Sequence, residues 1–138
     1  MKIRAFTVFI TALLATAGAE AFCKPDMSVK QVTETIVAAI NNGNFQSFKS
    51  CIAQNASAHE PGRNFVGRTR LLAWAKGEIF DLKGRLIIAK SNRVGKKEFR
   101  CGRFKTPSFG FKVKYIFQAQ KGQLTRWNLH YWKSKRCK

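Results

Sequence analysis

Acidic residues are scarce in this chain. Its 138 residues carry seven Asp and Glu against 26 Lys and Arg, for a formal net charge of +19. The deficit is uneven. From Lys83 to Lys138 seventeen basic residues face a single acid, Glu98, a net +16, whereas Phe22 to Leu82 holds seven basic residues and five acids, a net +2. Histidine is scarcer still, with only His59 and His130, and no two of the four cysteines have CxxC spacing. That excludes the usual ligand sets of a zinc site, and no metal or cofactor is expected. No apolar run reaches the roughly 20 residues needed to span a bilayer. Internal repeats, low-complexity segments and linkers are absent. So is any complete catalytic set or RNP-like motif, which leaves nucleic-acid recognition to charge alone, salt-sensitive and nonspecific.

What is present starts with an export signal. Lys2 and Arg4 precede an apolar stretch, Phe6 to Ala17, and Ala19-Glu20-Ala21 fits a signal-peptidase site. Residues 1–21 are therefore read as a signal peptide and residues 22–138 as one secreted domain, extracellular or periplasmic, with no transmembrane segment. Four cysteines in an exported domain read as two disulfides, for which three connectivities exist. Cys23–Cys137 with Cys51–Cys101 nested inside is the expected pairing, because a staple between the chain ends removes the most loop-closure entropy.

Hydrophobic periodicity divides the chain in two. Ser28 caps a helix to about Asn42, with Val29, Val32, Ile36, Val37 and Ile40 as its apolar stripe. A second helix is expected from Asn44 to Ala53, a short extended piece from Asn55 to Glu60, and a third helix from Gly67 to about Phe80. Beyond Asp81 the period becomes alternating. Strands are expected at Leu82–Ser91, Lys96–Lys105, Phe109–Gln120 and Leu124–Lys133. Helices followed by a meander belong to the α+β class, with a curled antiparallel sheet packed on three helices around an apolar cavity.

Three runs carry a resemblance: Asn42-Gly43-Asn44-Phe45, Ala56-Ser57-Ala58-His59-Glu60-Pro61-Gly62, and Phe65-Val66-Gly67-Arg68 opening a helix that contains Trp74. Together they resemble the nuclear transport factor 2-like superfamily, which includes ketosteroid isomerase, scytalone dehydratase and the SnoaL-like cyclases. Asn44 stands where Asp is common in that pattern. The resemblance spans roughly Val29 to Trp132 and implies a cone-shaped α+β barrel with an internal pocket. Fold alone does not fix function. Glu60 resembles the position of the ketosteroid isomerase base, but Ile36 replaces the first-helix Tyr of the oxyanion site, and Lys, Arg and Phe fill the strand region of the second acid. A base without an oxyanion hole lacks the largest usual contribution to such catalysis.

Two functional readings follow. The first is a binding module, with Trp74, Phe111, Tyr115 and Trp127 walling a pocket for a small hydrophobic ligand. A basic sheet surface of Arg100, Lys112, Lys114 and Arg126 would take an anionic partner: a glycan, a lipid head group, nucleic acid or an acidic protein. The second is an isomerase or cyclase using Glu60 with His59 or His130. Against these stand blander roles: Glu60 as a surface acid paired with Arg63 or Arg68, His130 as an exposed residue, and the charge as an aid to solubility. Asn55-Ala56-Ser57 is a glycosylation sequon with meaning only in a eukaryotic producer. Dimerisation through the outer sheet face would set two positive surfaces together, and oligomeric state stays open.

Overall fold

A reciprocal cap starts the first helix. Ser28 Oγ accepts from the Gln31 amide at 3.2 Å, and the Gln31 side chain accepts from the Ser28 amide at 2.8 Å. The computed structural model describes residues 21–131, so the expected signal peptide (1–20 of it) and Cys137 lie outside the described residues. Helix α1 (Val29–Asn41) buries Val32, Ile36 and Ile40. Gly43, at φ +66°, turns the chain into α2 (Phe45–Ser50), which Asn44 caps by accepting from the Ser47 amide at 3.0 Å. Asn thus does here what a capping Asp does.

Strands β1 (Ile52–Glu60) and β2 (Arg63–Val66) follow, then α3 (Arg68–Ala75), extended by a π-helical turn from Lys76 to Phe80. The remaining strands are β3 (Arg85–Val94), β4 (Lys97–Lys105), β5 (Gly110–Gln120) and β6 (Gln123–Tyr131). The six strands form one curved, open sheet in the order β2-β1-β6-β5-β4-β3. The meander β3 to β6 is antiparallel as expected, but the sheet as a whole is mixed, because β1 joins β6 in parallel. β2, too short and polar to show an alternation, was not foreseen. The extended segment also starts earlier than expected, at Ile52, and α2 is correspondingly shorter.

One face of the sheet packs on the helices. It carries Tyr115 and Phe117 from β5 and Trp127 and Leu129 from β6, all buried and in register across the pair. The same register carries Glu98 and Arg100 of β4 onto that face, opposite Phe117 and Tyr115. This corrects the expected outward placement of Arg100. The alternation within β4 was legible, but Phe99 and Cys101, the more apolar set, take the outer face. Arg100 is buried with Glu98 at 3.0 Å, and Glu34 of α1 lies 3.9 Å away.

The disulfide pairing also differs from expectation. Cys23 bonds to Cys51, with Cα atoms 4.9 Å apart, which excludes both Cys23–Cys137 and Cys51–Cys101. Chain separation alone favoured the ends, but the tertiary path decides. The segment before α1 lies along α2, where Ser50 Oγ accepts from the Cys23 amide at 3.1 Å and Ser47 bonds the Ala21 carbonyl. It then crosses the β5–β6 turn so closely that a Cβ on Gly122 would sit 1.7 Å from the Lys24 carbonyl oxygen. Cys101 is on the outer face, opposite Lys114, and is itself disulfide-bonded.

Two stability measurements test this packing. The Cys23–Cys51 bridge closes a loop of 28 positions. The Cys23→Ala/Cys51→Ala variant is therefore expected to lose about 3.5 kcal/mol of unfolding free energy in urea by the loop-entropy relation. Glu98→Ala strands a buried guanidinium and is expected to cost about 3–5 kcal/mol; a loss under about 1 kcal/mol would mean that water reaches Arg100.

Candidate functional site

The aromatic residues of the helix-side face do not fill the space between sheet and α3. They line a cavity of about 180 Å³, with Trp74, Ile79, Leu82, Leu86, Phe104, Phe109, Phe111, Tyr115, Trp127 and Leu129 as its apolar wall. Glu60, Arg63 and Glu78 form its polar side. Each element contributes for a local reason. Glu60 ends β1 and pairs in register with Arg63 of β2 across the Pro61-Gly62 turn, where Gly62 has φ +81°. Trp74 comes from α3, and the π-helical turn behind it sets Glu78 and Ile79. In an α-helix Ile79 would be rotated about 140° from Trp74, at 100° per residue. The wider turn, closed by the Asp81 amide on the Lys76 carbonyl at 2.9 Å, keeps both Glu78 and Ile79 on the cavity side.

The polar side is an Arg between two acids. Arg63 donates to both Glu78 oxygens, at 2.7 and 2.6 Å, in a planar fork, and it also ion-pairs with Glu60. Arg63 lies over the Phe65 ring at 5.3 Å, and Phe65 stacks on Trp74 at 5.2 Å. The two acids differ in environment. The Glu60 side chain is 10% exposed. Its burial raises its pKa above the ordinary glutamate value, an effect the Arg63 charge opposes and the Glu78 charge reinforces. Glu78 is more exposed, and the hydrogen bond from Arg63 holds its pKa down against the cost of burial. The Trp74 indole lies toward Glu78 and adds to this lowering without the alignment of a hydrogen bond.

Three donors of the lining residues are buried with no hydrogen-bond partner: Tyr115 Oη, Trp127 Nε1 and Trp74 Nε1. Burial pushes the Tyr115 phenol far above its ordinary pKa, so it stays protonated and able to donate. An orphaned buried donor costs about 1–3 kcal/mol, and such groups in a native fold call for an explanation.

The residues read from sequence are distributed as follows. Trp74, Phe111, Tyr115, Trp127 and Glu60 meet at the cavity. His59 does not: it sits on the outer face, bonded to Asn64 Oδ1 at 2.8 Å and Ser57 Oγ at 3.0 Å. His130 is exposed on that same outer face, across from Lys114. A histidine partner for Glu60 is therefore missing from the cavity lining. Of the expected basic surface, Arg100 is buried on the helix side and Lys114 is buried on the outer side with its ammonium 5.4 Å from the Phe99 ring centre. Lys112 and Arg126 are exposed. Among the described residues Arg68 pairs with no acid; it donates to the Ile52 and Lys49 carbonyls at 3.2 Å each. Glu78 and Arg63 were missed as site residues, because their approach depends on the β1–β2 turn and the π-helical turn, neither of which has a period.

Comparison with solved structures identifies the architecture. The chain is similar to a nuclear transport factor 2-like protein of unknown function from Cytophaga hutchinsonii, at a TM-score of 0.67 and 14% identity, over 76% of this chain and 90% of that one. It is also similar to a protein assigned as a polyketide cyclase from Sinorhizobium meliloti (0.65, 15% identity, 71% and 92%). A third match is a protein assigned as a ketosteroid isomerase from Kribbella flavida (0.65, 10% identity, 75% and 76%). The chain therefore has the nuclear transport factor 2-like fold. No sequence-family model matches the chain, and no curated protein matches it.

The Glu60 environment has a pH signature. A carboxyl whose folded-state pKa is raised contributes less stability as pH rises through that value. Glu60→Gln is therefore expected to gain stability relative to the native chain as pH rises through and above the ordinary glutamate range, read from urea midpoints. A constant difference across that range would show that Glu60 titrates like an ordinary surface carboxylate.

Proposed function

We propose that this is a secreted, disulfide-stabilised binding domain whose cavity takes a small, largely apolar molecule carrying a hydrogen-bond acceptor. The observation that carries this reading is the set of three unpartnered donors, Tyr115 Oη, Trp127 Nε1 and Trp74 Nε1, among apolar residues that line one cavity. An acceptor on the ligand, such as a carbonyl oxygen, would take up to two of them, one on each lone pair. Volume narrows the class. An apolar cavity of roughly 150 Å³ holds benzene, so about 180 Å³ suits one substituted ring and not a steroid skeleton. Export is supported by the expected signal peptide at 1–21 preceding a domain at 22–138, and by a disulfide of the kind that persists in oxidising compartments. Among the described residues no helix is long and apolar enough to cross a membrane.

A second reading is favoured by the raised pKa of Glu60 beside the same cavity. Glu60 would act as a general base, with Tyr115 O–H donating to the developing oxyanion in place of a histidine. Proteins sharing the fold include some assigned as an isomerase and a cyclase. The two readings part at Glu60→Gln, which keeps ligand affinity under both but abolishes turnover only under the second.

Acetophenone and ethylbenzene separate an acceptor-reading site from a merely greasy one, since they differ chiefly in a carbonyl. With Trp74 and Trp127 fluorescence as the signal, acetophenone is expected to bind at least about tenfold more tightly, the value of one otherwise unmade hydrogen bond. Tyr115→Phe should erase most of that preference and leave ethylbenzene binding unchanged. Equal affinities for the native protein would sink the proposal.

A further inference from the structure

A second feature lies at one end of the sheet, where outer-face residues of β3 and β4 meet the turn that carries Phe109. β3 is the edge strand, and its exposed Ile87 pairs in register with Arg103 of β4, which pairs in turn with Lys112 of β5. One step along, Arg85 pairs with Lys105. Like charges directly opposite across strands are unfavourable, and here a cationic pair stands with no acid to offset it. Glu98 is the only acid between Lys83 and Tyr131, and it is buried on the other face beside Arg100. Ile87, Arg103, Lys105 and the turn Thr106 to Gly110 line an open groove with no acidic residue in its wall.

The groove is apolar as well as cationic. Phe109 is 47% exposed and Ile87 50%, two of the exposed large hydrophobic side chains of the described residues. Phe109 is held out by a rigid turn. Thr106 Oγ1 accepts from the Ser108 and Phe109 amides at 3.2 and 3.1 Å, and the Thr106 amide donates to the Phe109 carbonyl at 2.8 Å. One ring face of Phe109 stacks on Phe111 at 6.1 Å and 3°. Ordering this turn in advance removes an entropy cost from any docking event.

From this juxtaposition we infer that the β3–β4 end of the sheet docks on an anionic lipid bilayer, with Arg103, Lys105 and Arg85 at the level of the phosphates and Ile87 and Phe109 entering the interface. Cations ringing exposed apolar side chains are what interfacial binding requires. Nucleic acid is matched less well. Isoleucine offers no face for base stacking, and one face of Phe109 is already on Phe111. The surface stands independently of any cavity ligand. Phe109 does line both groove and cavity, so a docked domain would turn that wall of the cavity toward the membrane.

The test uses the intact, disulfide-bonded protein and sedimentable vesicles of phosphatidylcholine, alone or with one-third phosphatidylglycerol, at near-physiological salt. Binding is expected to the anionic vesicles and not to the neutral ones. Arg103→Gln/Lys105→Gln should lower the partition coefficient roughly 25-fold, about fivefold per cation. The control Lys97→Gln/Arg126→Gln removes the same charge away from the groove and should cost less than about fivefold. Ile87→Ser/Phe109→Ser should weaken binding, and Val94→Ser, at the far end of β3, should not. Equal losses from both charge pairs, undiminished binding by Ile87→Ser/Phe109→Ser, or equal binding to the two vesicle types would each overturn the proposal. So would an Arg103→Gln/Lys105→Gln loss seen with a duplex oligonucleotide but not with vesicles.

Discussion

Trp127 is the contact on which most of this structure depends. It is 1% exposed and sits on β6, between the parallel neighbour β1 and the antiparallel neighbour β5. Its ring meets Trp74 of α3 edge-on at 5.3 Å, Phe117 at 5.2 Å, Tyr115 at 5.9 Å and Phe48 of α2 at 6.4 Å. One side chain thereby links two helices to two strands. These edge-on and tilted contacts are the arrangements that aromatic pairs prefer. The cavity lies against those rings. The core's main stabilising contact and the proposed binding wall are therefore the same atoms, and orphaned indole and phenol donors follow from building a wall out of Trp and Tyr.

The second constraint is charge. A chain with one acid in its last 56 residues cannot neutralise its cations by pairing, and the fold sorts them by position. One cation, Arg100, is internalised with that acid, where desolvation makes the partner indispensable. Arg63 is used at the cavity, where two acids from the near-neutral half reach it. The exposed remainder accumulates on the strand ends and the outer face, and at the β3–β4 end it shares the surface with apolar side chains. The positive field is thus not spread evenly over the sheet.

Cavity and surface are coupled by chain order. The near-neutral half supplies the helices, β1, β2 and the acids of the cavity, and the basic half supplies β3 to β6, so the cavity takes its polar side from one half and most of its aromatic wall from the other. That division places Glu60 in partial burial and beside Arg63 at once, and the two influences pull its pKa in opposite directions, with burial the larger. Glu78, drawn from the more exposed π-helical turn, takes the opposite shift. Two carboxyls joined by one guanidinium thus have their pKa values moved in opposite directions, Glu60 upward by burial and Glu78 downward by the Arg63 hydrogen bond.

The sequence by itself determined the class and most of the elements, β2 excepted. Helical and alternating periods are local properties, so α1, the length of the third helix through its π-helical turn, and the four-strand meander were legible, as was the aromatic content of the helix-side face. It also made the superfamily fold recognisable from three short runs. Tertiary structure decided everything that depends on which of two alternating faces turns inward and on where distant segments cross. Arg100 went inward because Phe99 and Cys101 share the opposite face of β4, a choice that alternation cannot make alone. Cys23 met Cys51 because the N-terminal segment runs along α2, a path no spacing rule encodes. Arg63 and Glu78 joined Glu60 through a tight turn and a π-helical turn, two aperiodic features. Periodicity reports what a segment buries; only the packed chain reports against what.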